Sequence, residues 1–211
     1  ITVPSVSIVS GAISIEGKPA ILLAATLQYF YLPHGDLWRP TLERFRVGGL
    51  NAVLIPVPWA YHSPAVGFHD FTGPRDLPRL FDEIERAGLW LLLHIGPWVG
   101  SGLAAGGVPG WVYGLPEVAA QIARGTPYGH RSPLTRHISA WWDRVLTLAT
   151  DRPNLLAIGV DPGPGLGPEE AAEATGTLLT MLDARGVSLP LAVPDAGQFT
   201  WKAGLLELRE L

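Results

Sequence analysis

Five short apolar runs alternate with four segments of helical period, and the connections after the runs are long and rich in Gly, Pro and Trp. This pattern predicts an α/β fold built on a parallel sheet. No GxGxxG or Walker sequence follows any of the runs, which leaves a nucleotide-binding doubly wound sheet without support. Long aromatic connections at the C-terminal ends of strands are instead the mark of a (β/α)8 TIM-barrel type. About five strands are counted where a closed barrel needs eight, so a partial barrel is expected, preceded by a short β-hairpin.

Val6–Ile15 alternate apolar and small polar residues around Ser10-Gly11, the pattern of a hairpin. Residues 1–19 are assigned to this hairpin and 20–211 to the partial barrel. Ile21–Gln28 reads as the first buried strand. Asp36 is the expected N-cap of a helix through Trp38, Leu42 and Phe45, stopped by Gly48-Gly49. Asn51–Pro58 is the second strand. Asp76 caps a second helix whose Leu77, Leu80, Phe81, Ile84 and Ala87 share a face, with Gly88 as its stop. Leu89–Leu93 is the third strand, breaking into the uncharged loop that runs through Trp98 to Trp111. Ser132-Pro133 opens a third helix with Leu134, Ile138, Trp141, Val145 and Leu148 inward. Leu155–Asp161 is the fourth strand, Pro168–Arg185 the fourth helix, Leu191–Val193 the fifth strand, and Leu205–Leu211 a fifth helix.

Composition narrows the function classes. Of 211 residues, 16% are charged and 47% hydrophobic, ample for a large core and low in charge for an ordinary surface. Part of that surface is expected to lie against other domains of the same protein or another subunit. A net charge of −4 argues against nucleic acid as a partner and against an anionic membrane surface. No apolar run approaches the ~20 residues of a membrane span, so no membrane insertion is expected. Without cysteine there is no disulfide or thiol chemistry. The first residue is Ile1 rather than Met, which reads as processing or excision from a longer protein. A removed signal peptide would place the chain outside the cell or in a periplasm, and the compartment stays open.

Several strings stand in register along the chain. WRxxLxxxxxxGLN spans Trp38 to Asn51, VPWxxHxP spans Val57 to Pro64, and FxxFxGxRDLxRxxxxxxxAGLW covers Phe68–Trp90. GPW follows at Gly96–Trp98 and GGxPxW at Gly106–Trp111. Together they resemble the front half of the catalytic barrel of glycoside hydrolase family 35, the β-galactosidases. The resemblance implies a retaining mechanism, with one Glu at the end of strand four as acid/base and another at the end of strand seven as nucleophile. It sets the acid of a QVENEYG-like sequence against Gly163, within Gly159-Val160-Asp161-Pro162-Gly163-Pro164-Gly165. Pro162 replaces the Asn that contacts the sugar 2-hydroxyl. The family's AEW reads Ser101-Gly102-Leu103, its Tyr before the second-strand PW is Pro56, and the Arg of its RPGPY is His94. The implied nucleophile falls beyond Leu211. The resemblance thus implies the fold while removing the acid and most galactose contacts.

Asp161 is the carboxylate at the end of the fourth strand, and alternation puts it on the same face as Gly163, two residues deeper. It is the candidate catalytic group, as a displaced acid, or else a hydrogen-bonded strand-end Asp. Trp59, Trp98 and Trp111 close strands or loops on the expected ligand face. They are candidate substrate-binding residues through sugar stacking, with loop packing as the other use of the same indoles. His94 joins them as a candidate contact, base or metal ligand, or as a filler of the space of the family's Arg. No second ligand stands at metal spacing from it, so no metal and no cofactor are expected. His62 and Asp195 match family positions and read as structural.

The expected function is a β-galactosidase-like module without catalysis, structural or weakly carbohydrate-binding, with a galactoside as the small-molecule partner. The competing expectation is an active glycoside hydrolase on β-galactosides that uses Asp161 or residues beyond Leu211.

Overall fold

A computed structural model describes residues 5–9, 12–100, 102–123, 132–163, 168–186, 189, 191–195 and 198–200. The chain opens with β1 (Val6–Val9), β2 (Ala12–Ile15) and β3 (Lys18–Ala20), an antiparallel sheet in the order β1-β2-β3. The expected hairpin pairs Val6 with Ile15 through Val9 with Ala12, and β3 extends it by pairing Ile13 with Ala20. The expected turn at Ser10-Gly11 lies outside the described residues.

The main sheet contains β4 (Ala24–Thr26), β5 (Ala52–Pro56), β6 (Trp90–Pro97), β7 (Leu155–Asp161), β8 (Leu191–Asp195) and β9 (Gln198–Thr200) in sequence order. Strands β4 to β8 run parallel, as the alternation of runs and helices predicts. β9 joins β8 antiparallel, a pairing that the apolar pattern did not signal. β4 and β9 are the two edges of this sheet among the described residues. Beside β4, Ile21 and Leu23 are 78% and 50% exposed.

Between the strands lie α1 (Trp38–Val47), α2 (Trp59–His62), α3 (Leu77–Arg86), α4 (Gly110–Tyr113), α5 (Pro116–Ala123), α6 (Pro133–Ala149) and α7 (Pro168–Asp183). The short α2, α4 and α5 sit inside connections that the sequence marks only as loops. The expected helix at Leu205–Leu211 lies outside the described residues. At the start of α1 the structure corrects the expected cap. A 3-10 turn over Gly35–Leu37 places Leu37 at the N-cap, without a side-chain bond. The Asp36 carboxylate is one residue too early and bonds Arg79 at 2.6 Å instead. Asp76 and Ser132 do cap their helices, accepting from the backbone N–H of Arg79 and Thr135. Gly88 follows α3 in the left-handed region, φ +67°, as a C-terminal stop should.

The two faces of the sheet bury different partners. Val53, Ile55, Leu91, Leu93, Ile95, Leu155, Ile158 and Val160 pack with Leu42, Leu80, Phe81, Ile84, Trp142 and Leu178 of the helices. Ala52, Leu92, Leu156 and Ala157 face the other way and pack with Ile13 and Ile15 of β2. Two-residue alternation explains this division, and a register shift beside Leu91/Leu92 lets both Leu156 and Ala157 join the second group. Trp142 seals α6 to the sheet, donating its indole N–H to the Ile95 carbonyl at 3.1 Å.

The Asp76 cap is a direct test of this local chemistry. Asp76→Ala should lower urea unfolding free energy by about 1 kcal/mol, while Asp76→Asn, itself a good cap, should cost only a few tenths. Equal losses in the two variants would show that the carboxylate acts through charge rather than as a cap.

Candidate functional site

The face of the sheet opposite the helices leads upward, at its C-terminal ends, to the candidate site. Pro56, His94 and Gly159 stand level on three neighbouring strands. Past a register shift, Gly96 pairs with Val160 and Pro97 with Asp161. His94 is buried, and a Cβ placed on Gly159 would lie 3.3 Å from His94 Cδ2. The glycine makes room for the imidazole. Burial pulls the His94 pKa down to about 4, opposed by a hydrogen bond to the Trp98 backbone. A neutral, enclosed ring in that state fills space and fixes the start of the Trp98 loop. No group of three or more metal-ligating side chains occurs among the described residues.

Asp161 ends β7 partly buried, and that burial pushes its carboxyl up to about 6. Its Oδ1 accepts the Gly163 N–H at 2.7 Å, which favours the charged form and partly offsets the burial. The Asp161 carbonyl in turn accepts the Trp98 N–H at 3.1 Å. Trp98, His94 and Asp161 are therefore joined through the Trp98 backbone.

Two glycines shape the seat of the half-buried Trp98 indole. Gly106 has φ +62°, and a Cβ there would overlap Cδ2 and Cε3 of the ring. Gly163 has φ +98°, and a Cβ there would meet Cε3 at 3.3 Å and the Trp98 Cβ at 3.4 Å. Both positions combine a backbone that L side chains rarely adopt with an occupied Cβ direction.

Trp59 and Trp111 are placed differently. Trp59 is 2% exposed, stacked on Trp141 at 6.2 Å and edge-on to Trp111 at 5.6 Å. Trp111 is partly buried, donates its indole N–H to the Ser63 carbonyl at 2.8 Å and meets His137 edge-on. Neither makes a ring contact with Trp98 among the described residues. Trp141 is the hub of this second group, with His62, His69 and Phe71 stacked near it at 5.9–6.2 Å. Removing an indole of about 200 Å² from water is worth roughly 5 kcal/mol, more than a ligand-stacking contact returns.

His62 anchors that group. Its Nδ1 lies 2.9 Å from the Asp70 carbonyl, so Nδ1 carries the proton, and Nε2 accepts from the Tyr29 hydroxyl at 2.5 Å. Burial pulls His62 down to about 4 and raises Tyr29. Sequence reasoning missed Tyr31, whose hydroxyl reaches the Gly102 carbonyl, 71 residues away, at 3.0 Å. Nothing local in the sequence announces that contact.

The comparisons agree with this architecture. The profile of glycosyl hydrolases family 35 matches residues 12–153. A Beta-galactosidase-1-like protein of Mus musculus is 35% identical over 104 residues, which is 49% of this chain and 16% of the relative. An Exo-beta-D-glucosaminidase of Pyrococcus horikoshii is 28% identical over 153 residues, 65% of this chain and 19% of the relative. The chain thus spans less than a fifth of these two relatives. Among solved structures, an exo-beta-1,4-mannosidase from an Opitutaceae bacterium superposes with a TM-score of 0.67 at 17% identity, over 88% of this chain and 34% of that one. An endo-1,4-beta-mannanase from Rhizomucor miehei gives 0.66 at 12% identity, over 94% and 62%. Likeness at that identity bears on the fold alone.

Two outcomes follow from the geometry. Histidines whose folded pKa is depressed stabilise fully above the unfolded value of about 6.5 and lose that contribution as pH falls toward 4. Asp161, raised in the fold, acts in the opposite sense, its contribution declining as pH rises through about 6. Two histidines outweigh one carboxyl. The urea unfolding free energy should therefore fall between pH 6.5 and 4.5, by an amount on the order of 3 kcal/mol. A flat profile would contradict the buried neutral rings. Gly106→Ala should cost roughly 2 kcal/mol or more and raise iodide quenching of tryptophan fluorescence as Trp98 is displaced. Unchanged quenching would show that the indole has another seat.

Proposed function

The chain belongs to glycosyl hydrolases family 35, and from that premise we propose that it is a carbohydrate-recognising module that does not hydrolyse β-galactosides. The observation that carries this reading is Gly163, the position that the family resemblance aligns with the acid/base. Glycine has no proton to give, its φ of +98° disfavours any other residue, and its Cβ direction runs into Trp98. The losses at Pro56, Gly102 and Pro162 support the same reading, since hydrogen bonds that would tighten at the transition state are gone. His94, in the place of an Arg, is enclosed and neutral. Trp98 and Trp111 are both partly buried, but Trp98 stands beside Asp161, whereas Trp59 and Trp111 belong to the packed group around Trp141.

One observation favours a second reading, in which the protein hydrolyses β-galactosides with Asp161 or residues beyond Leu211. A carboxyl at about 6 at a barrel strand end has the proton affinity of a general acid. Against it, the Asp161 Oδ1 is held by its own chain at Gly163 N, two residues short of the aligned position.

Hydrolysis assays on the full-length protein separate the two. A positioned general acid is worth about 10²–10⁴ in rate, so lactose should not be turned over above the uncatalysed background. An aryl galactoside, whose leaving group needs less proton donation, is the more forgiving substrate. Lactose turnover that vanishes in Asp161→Asn would establish the second reading. Gly163→Glu alone should not create activity and should destabilise the fold.

A further inference from the structure

Tyr31 is 58% exposed, yet it is held at both ends of its side chain. Its ring packs on Phe30 at 4.7 Å between centroids. Phe30 in turn packs on Tyr29 and Tyr61, so the base of the arm rests on the core. Its hydroxyl donates to the Gly102 carbonyl at 3.0 Å, tying the connection after β4 to the connection after β6. Both connections leave the C-terminal ends of their strands, the end of the sheet at which Trp98 and Asp161 also stand. An aromatic ring fixed in this way has lost its conformational freedom without the gain of burial. Such a ring is pre-organised for a contact that the protein alone does not make.

The chemistry around it specifies the class of ligand. From Trp98 to Tyr113 the sequence contains no charged residue. In the connection after β4, Asp36 is already engaged by Arg79. The described mouth therefore offers aromatic rings, backbone polar groups and a carboxyl that burial moves toward its neutral form. That surface suits an uncharged ring with apolar C–H faces and hydroxyl edges, since the neighbouring guanidiniums of Arg75 and Arg79 are already paired with Asp70 and Asp36. Gly102 also leaves the tie room. A Cβ there would be 3.6 Å from the Tyr31 hydroxyl, an ordinary contact, whereas a longer side chain would compete for the same space.

We infer that Tyr31, fixed between Phe30 and the Gly102 carbonyl, is a ligand-contact residue of this mouth and stacks on the C–H face of a neutral pyranoside. The inference rests on the carbohydrate-recognition reading above and adds to it a residue from the first connection.

The test uses methyl β-galactopyranoside and methyl β-glucopyranoside, titrated into the full-length protein and followed by calorimetry and by indole NMR signals. Tyr31→Ala should weaken binding of whichever glycoside binds by about tenfold or more, the ~1.4 kcal/mol of one ring contact. Tyr31→Phe, which keeps the ring and removes only the tie, should stay within about threefold. Both variants should unfold within a few degrees of the wild type, because the ring is mostly exposed. Wild-type binding that Tyr31→Ala leaves unchanged would overturn the inference while sparing carbohydrate recognition. No binding of either glycoside by the wild type would overturn both. An equal large loss in Tyr31→Phe and Tyr31→Ala would assign the effect to loop anchoring and overturn the stacking role.

Discussion

Alternation along β5, β6 and β7 governs the molecule, because each strand must satisfy two different environments in successive residues. Ile55, Leu93 and Ile158 turn to the helices while Ala52, Leu92 and Ala157 turn to the N-terminal sheet. A parallel strand covered on both faces has no polar side to spare. The first positions at which the inner row can carry chemistry are therefore the C-terminal ends, where His94, Gly159 and Asp161 emerge. The site is a consequence of where burial stops. Register shifts decide the phase: the one beside Leu91/Leu92 brings Gly159 level with His94, and a second between His94 and Gly96 sets Asp161 against Pro97.

Aromatic residues at the mouth divide between two tasks. Around Trp141, the rings of Trp59, Trp111, His62 and Phe71 form a packed group. The polar chain from Tyr29 through His62 to the Asp70 carbonyl threads it and leaves neither ring nitrogen idle. Its interior is dry enough to hold an imidazole neutral. This group stiffens the connection after β5 against α6. Trp98 and Tyr31 form the other set, each fixed by backbone rather than enclosed by side chains. Trp98 leans on two glycines, and Tyr31 ends on a carbonyl.

That division bears on how a site of this ancestry changes. A carboxylate at position 163 would need a backbone outside the left-handed region and free space beyond its Cβ. Here the backbone turns through positive φ at Gly163, and its N–H is taken by Asp161. The turn and the indole support each other, so reversing a single residue meets both backbone strain and an occupied volume. The glycine at this position is thus required by the conformation of the loop as well as by the neighbouring indole.

The sequence by itself determined the parallel order of the strands, the caps at Asp76 and Ser132, the stop at Gly88 and the glycine at position 163. Each of these is written in a few neighbouring residues, by periodicity, by a side chain that reaches its own backbone, or by the absence of a side chain. Asp36 shows the limit of such local reasoning, since a 3-10 turn and the guanidinium of Arg79 outcompeted an otherwise sound cap. Which indoles stay at the surface was decided only by the tertiary structure. Trp59 and Trp98 follow strands in much the same way, but the helix carrying Trp141 arrives from far along the chain to cover one and not the other. Tyr31 reaches the connection after β6 for the same reason, through a carbonyl 71 residues away. Contacts of that span depend on how whole elements pack, and the residues at either end carry no local sign of their partner.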